Sequence, residues 1–181
     1  ILGSLSQVDA PARTLRAQLN ESRAMLPGAL PTTMGSILYG ISVSGEGDYE
    51  RSTGILQQYL QINGVDHPLT PVALLQMGWN QYLMGEYRLA KATLLEASYS
   101  AAFFNQLDLV RESLVLASRA HVAVNRDQPL PELDLAFEWA RVQGMRVAQA
   151  QFAMVAAENA IENGQNPVAA QYLETATGLL R

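Results

Sequence analysis

The 181-residue chain contains no cysteine, which excludes a disulfide framework, a thiolate zinc site and thiol catalysis. Histidine is nearly as scarce. His67 and His121 are the only two, too few for a multi-histidine metal site. Lysine occurs once, at Lys91, and no Walker-type Gly-Lys-Ser/Thr loop can be written. The nucleophile elbow Gly-x-Ser-x-Gly and the zinc signature His-Glu-x-x-His are both missing. No run of about 18 apolar residues exists, so no membrane-spanning helix is expected. Twelve basic against 17 acidic residues give a net charge of −5, without the clustered basic face that nucleic acid requires. Enzymatic activity, a cofactor, a metal and direct nucleic-acid binding are therefore not expected.

Partial motifs have plain explanations. Gly45-Glu46-Gly47 supplies the first two positions of a glycine-rich phosphate loop, but Glu50 stands where the third glycine belongs. A helix rather than a strand precedes it, so it reads as a hairpin turn. The carboxylate pairs Glu132/Asp134 and Glu158/Glu162 have no histidine or metal partner at a catalytic spacing, and read as solvated helix faces. His67, in the stretch Asn63–Pro71, reads as a solvated loop residue.

What the chain does have is 49% hydrophobic residues recurring every three or four positions, between eight prolines that fall near segment ends. This pattern predicts an all-α protein of about nine helices, over 9–25, 32–44, 48–62, 71–84, 87–103, 107–124, 131–143, 146–163 and 167–180. Asp9, Asp48, Thr70 before Pro71 and Asn166 before Pro167 are candidate N-caps. Gly64 and Gly144 stand where a left-handed residue closes a helix. A single domain spanning 1–181 suits the length. The opening Ile1-Leu2-Gly3-Ser4 has neither Met nor a signal-like pattern, which reads as a fragment of a longer protein.

An internal repeat organises the helices. Gly78 is followed by Gly85, Tyr87, Ala90, Leu94 and Ala97; at the same offsets Gly40 is followed by Gly47, Tyr49, Ser52, Leu56 and Tyr59. Ala157 is followed by Gly164, Asn166, Ala169, Leu173 and Ala176. Gly47 to Gly85 spans 38 residues, and Gly85 to Gly164 spans 79, two units of about 39.5. Ala120 is taken as the corresponding small residue of the intervening unit, whose inter-helix turn is lengthened at Asp127–Pro131. Small residues at Gly78 and Ala90 allow close approach of two antiparallel helices. Units are expected at about 1–26 (partial), 32–64, 70–104, 107–144 and 146–180.

Through Leu74, Met77-Gly78, Tyr82, Gly85-Glu86-Tyr87, Ala90, Leu94 and Ala97, the chain resembles the tetratricopeptide repeat (TPR) family. The unit exceeds the usual TPR length of about 34 residues. Its period, with the stretches 85–97 and 9–28, is similar to the TPR-like superhelix of MalT-like transcriptional regulators. The resemblance implies a right-handed superhelix of antiparallel helical hairpins whose first helices line a concave groove. Uncapped ends of such an array expose apolar surface, which makes self-association an expectation too.

Counting by offset places Ile41, Trp79, His121 and Glu158 in one groove row, Ile37, Leu75, Ala117 and Met154 in a second, and Ser44, Tyr82, Val124 and Ile161 in a third. The candidate groove residues are Ile37, Ile41, Leu75, Trp79, Tyr82, His121, Met154 and Glu158. No basic residue falls in these rows, which argues against capture of a peptide carboxylate. Two readings stand for Trp79 and Tyr82: a floor for an apolar or amphipathic partner segment, or packing between helices. At His121 packing is favoured; facing Glu158, its ring would make a pH-sensitive contact. Trp139 with Phe137 reads as packing between units, and Phe103-Phe104 as the seal of a hairpin junction.

The expected function is a protein-interaction or effector-sensing scaffold, the regulatory segment of a larger bacterial signalling or transcriptional regulator. In MalT-like regulators such an array connects an ATP-binding module to a DNA-binding one. The alternative is an assembly scaffold or chaperone-like module of a secretion or pilus-type system. A cytoplasmic location goes with the first reading.

Overall fold

A computed structural model describes residues 33–125 and 128–181. Among the described residues there are eight helices and no strand. They are α1 (Thr33–Gly45), α2 (Tyr49–Asn63), α3 (Thr70–Leu83), α4 (Tyr87–Phe103), α5 (Leu107–Val124), α6 (Glu132–Val142), α7 (Arg146–Glu162) and α8 (Asn166–Leu179). The expected helix over 9–25, with its candidate cap Asp9, lies outside the described residues. No helix among them is long and apolar enough to cross a membrane.

Glycine sets most of the turns. Gly47, Gly64, Gly85, Gly144 and Gly164 all have φ between 70° and 86°, and Asn105 fills the same role at φ 56°. This left-handed conformation stops α1, α2, α3, α4, α6 and α7 and turns the chain back at little cost to glycine or asparagine. Asp48 caps α2 by accepting the Arg51 N–H at 3.3 Å. The two other expected N-caps among the described residues do not form. Thr70 lies inside the first turn of α3, buried, and its hydroxyl donates to the Gly64 carbonyl at 3.0 Å. Asn166 begins α8 without a side-chain cap. The proline that follows each of them needs no N–H partner in a first turn, so the helices start one residue early.

His67 is not merely solvated. Its Nδ1 accepts the Tyr59 hydroxyl at 2.9 Å and the Leu69 N–H at 3.2 Å, which places the neutral ring's proton on Nε2 and pins the α2–α3 loop. Burial, the largest influence, pushes the Tyr59 phenol above its ordinary range, and a hydrogen bond with Thr70 pulls it partly back.

Each helix except α5 packs closely on the next in sequence, while α5 and α6 have no substantial backbone contact; the first helices of successive pairs also touch: α1 with α3, α3 with α5, α5 with α7. Close approach is built from absent side chains. A Cβ on Gly40 would stand 2.8 Å from Leu56 Cδ2, and one on Gly78 2.5 Å from Leu94 Cγ. Leu56 and Leu94 thus press onto bare backbone and are fully buried, a gain of about 1.5–3 kcal/mol each over leaving them in water. The larger core runs through α4 to α7 around Leu94, Leu114, Leu130, Leu133 and Phe152; a smaller one joins Ile37, Leu56, Tyr59, Ala73 and Met77.

Helix α7 contacts α5, α6 and α8, and its buried residues include Ala148, Ala150, Ala153, Ala156, Ala157 and Ala160. Trp139 packs on Phe152 of α7, with ring centroids 6.3 Å apart, as expected of a contact between units. The Tyr172 hydroxyl donates to Asp134 Oδ1 at 2.6 Å and ties α8 to α6. Phe103, in contrast, is 77% exposed and touches Phe104 edge-on, so it seals nothing by burial.

Candidate binding groove

Helix α3 carries Val72, Leu75, Gln76 and Trp79 at spacings of three and four, which puts them on one stripe. That stripe faces a cleft of about 390 Å³ completed by Ile41 of α1 and by Glu112 and Leu116 of α5. Three successive first helices therefore contribute to one concavity.

Trp79 is half-buried and stacks on Tyr82, with centroids 5.5 Å apart and planes inclined by 8°. Tyr87 meets Tyr82 edge-on at 5.3 Å. The three rings form a fixed aromatic block at the C-terminal end of α3, a geometry worth about 0.5–1.5 kcal/mol per pair beyond burial.

Beneath the cleft lies a polar network. Asn80, fully buried, donates through Nδ2 to Ser52 Oγ at 2.8 Å and accepts the Ser44 hydroxyl on Oδ1 at 2.6 Å. Gln76 Nε2 donates to Ser44 Oγ at 2.9 Å and to Asn80 Oδ1 at 3.0 Å, while Ser52 Oγ donates to the Gly40 carbonyl at 2.7 Å. Every polar side chain here has a partner, so the network holds α1, α2 and α3 in one register and fixes Gln76 at the cleft wall.

Of the candidate residues, Ile41, Leu75 and Trp79 line the cleft together. Tyr82 adjoins it through Trp79. Ile37 is 1% exposed and belongs to the smaller core, out of reach of a partner. Met154 and Glu158 are exposed on α7, away from this cleft. His121 is 4% exposed; its Nε2 donates to the Gln128 carbonyl at 2.9 Å, and it makes no ion pair with Glu158.

The displacement of His121 comes from the register of the third unit. The buried positions Ala73, Leu74, Met77, Gly78, Asn80 and Gln81 of α3 recur on α5 as Ser113, Leu114, Ala117, Ser118, Ala120 and His121, which pairs Gly78 with Ser118, not Ala120. Ser118 is buried, and its hydroxyl accepts Asn159 Nδ2 of α7 at 2.7 Å. The residue after it, Arg119, is exposed and shares the Glu112–Leu116 stripe. The row reads Ile41, Trp79, Arg119, Glu158, and it does contain a basic residue.

Sequence reasoning missed Val72, Gln76, Glu112 and Leu116. The spacing on α3 carried a signal for the first two; the shifted register hid the other two. Among the described residues no group of three or more histidine, aspartate or glutamate side chains is placed to hold a metal ion. Comparison with known proteins finds no matching family model, no similar curated protein and no similar solved structure.

Proposed function

We propose that the chain is a protein-interaction module, a right-handed stack of TPR-like hairpins that takes an amphipathic helix of a partner into the cleft across α1, α3 and α5. The observation that carries this reading is the shared lining of that cleft: Ile41, Val72, Leu75, Trp79 and Leu116 from three successive first helices. An apolar strip with an aromatic anchor, edged by Glu112 and Arg119, suits a helix with an apolar face and charged flanks of both signs. A peptide carboxylate suits it less, since Arg119 is the single basic residue on its row and clamping requires convergent donors. In this reading the module is the regulatory segment of a larger bacterial signalling or transcriptional regulator in the cytoplasm.

The test is to select helical peptides from a displayed library against the unmodified chain, then measure their affinities for two variants. Trp79→Ala is expected to weaken binding by about 2 kcal/mol, roughly 30-fold. Glu112→Lys, at an exposed position, is expected to shift selection toward peptides with acidic flanks without altering the melting curve. Selected peptides that bind both folded variants as well as the parent sink the reading.

A further inference from the structure

A second hollow lies on the side of the second helices. Helices α4 and α6 have no substantial packing against each other; between them, above α5, is a space of about 200 Å³. Its walls are mainly apolar, with Val110 and Leu114 as the floor and Leu135 at one side. Tyr99 of α4 and Trp139 of α6 supply aromatic surface from opposite sides. Tyr99 and Leu135 are 58% and 62% exposed, which places them at the mouth.

One charged group lines this apolar space. Glu132 Oε2 is shielded from solvent and has no hydrogen-bond partner. A carboxylate oxygen so placed is costly unless a donor or a cation meets it. No side chain of the wall meets it. Ser98 gives its hydroxyl to the Leu95 carbonyl at 2.7 Å, and the two aromatic donors there, the Tyr99 hydroxyl and the Trp139 indole N–H, make no hydrogen bond to it. No cationic side chain lines the hollow, so a positive partner would come from outside it. Aromatic faces beside a carboxylate suit an ammonium group, which gains from both, while the floor accepts carbon. The volume is below the ~300–1,000 Å³ of sites for drug-sized ligands, so the occupant is small.

We propose that this hollow binds a small organic ammonium ion, an amine on a short apolar body, with its charge at Glu132 and its carbons between Leu114 and Trp139. The site is separate from the cleft across α1, α3 and α5 and does not depend on how that cleft is used.

The experiment follows the Trp139 and Trp79 indole N–H signals of the 181-residue chain by nuclear magnetic resonance during titration. The probes are n-hexylamine, n-hexanol and hexanoate. The amine is expected to shift the Trp139 signal and to bind about tenfold or more tightly than the alcohol, with hexanoate weakest. In Glu132→Gln the amine is expected to fall to the affinity of the alcohol, whose own binding is unchanged. The proposal is overturned if millimolar amine leaves Trp139 unmoved or shifts Trp79 instead. Equal affinities of amine and alcohol for the unmodified chain overturn it without recourse to the variant, as does a preference for amine that survives in folded Glu132→Gln.

Discussion

In the α3–α4 hairpin, Gly78 lies bare beneath Leu94 and a turn of three residues, closed by Gly85, brings the helices together. From α5 to α6, Ser118 stands at the same register, residues 125–131 separate the helices, the two have no substantial backbone contact, and α6 has only 11 residues. The longer turn is built into the fold through its backbone. The Gln128 carbonyl accepts from His121, and the Leu130 N–H donates to Asn159 Oδ1 at 3.2 Å. The repeat thus preserves a buried face, and it tolerates changes of residue and of turn length. The short α6 also leaves room beside α4 for the hollow at Glu132, whereas on its other side Tyr172 and Asp134 bind α6 to α8.

This contrast can be broken at several points. The largest effect is expected from Asn80→Ala, which strands Ser44, Ser52 and Gln76 around a buried gap; a loss of about 3 kcal/mol should appear in urea unfolding. A loss below about 1 kcal/mol would show that the network does not hold the first two hairpins. Gly78→Ala comes next. Its methyl group would collide with Leu94, costing about 1–3 kcal/mol, against a helix-propensity gain of about 1 kcal/mol. Net destabilisation of up to about 2 kcal/mol by thermal melting is expected, and a more stable variant would refute the tight-approach account. Ser118→Ala adds no bulk and removes one acceptor from Asn159, whose oxygen retains Leu130. The same urea assay should show a loss of about 1 kcal/mol, smaller than that of Asn80→Ala.

The smallest effect concerns the α6–α8 tie and is visible only at alkaline pH. Burial first, then the hydrogen bond to Asp134 and its negative charge, push the Tyr172 phenol up to about 12. The folded chain therefore holds this proton more tightly than the unfolded chain, in which tyrosine titrates near 10. The resulting stabilisation is complete below pH about 10 and is lost as pH rises toward 12. Tyr172→Phe should flatten the fall in stability across that window; an unchanged profile would mean that the tie is broken in solution.

Helix positions were legible because periodicity and glycine punctuation act locally: 87–103 coincides with α4, and 71–84 misses α3 by one residue at each end. The hairpin offsets were legible for the same reason, and Gly40 and Gly78 face Leu56 and Leu94 as their spacing suggested. The third unit was misread because Ala117, Ser118 and Ala120 are all small and the inserted turn removes the ruler used to choose between them. The network around Asn80 was missed although a trace existed. Asn80 and Asn159 are interior helical asparagines two residues past equivalent positions, and each buries its amide against the preceding hairpin. One position of the candidate groove row depended on that uncertain register, so Ile41 and Trp79 meet in the cleft while His121 belongs to packing.

The alanines of α7 give that helix a mechanical character of its own. Alanine has no rotamers to lose, so enclosing this helix among α5, α6 and α8 costs little side-chain entropy. It also leaves nothing that can swing aside. A larger residue at Ala153 or Ala157 would have to move a neighbouring helix bodily, and a shift of α7 would reach α5 and α8 at once. A helix lined with methyl groups therefore acts less as an adhesive than as a gauge block, setting the spacing of the helices packed on it.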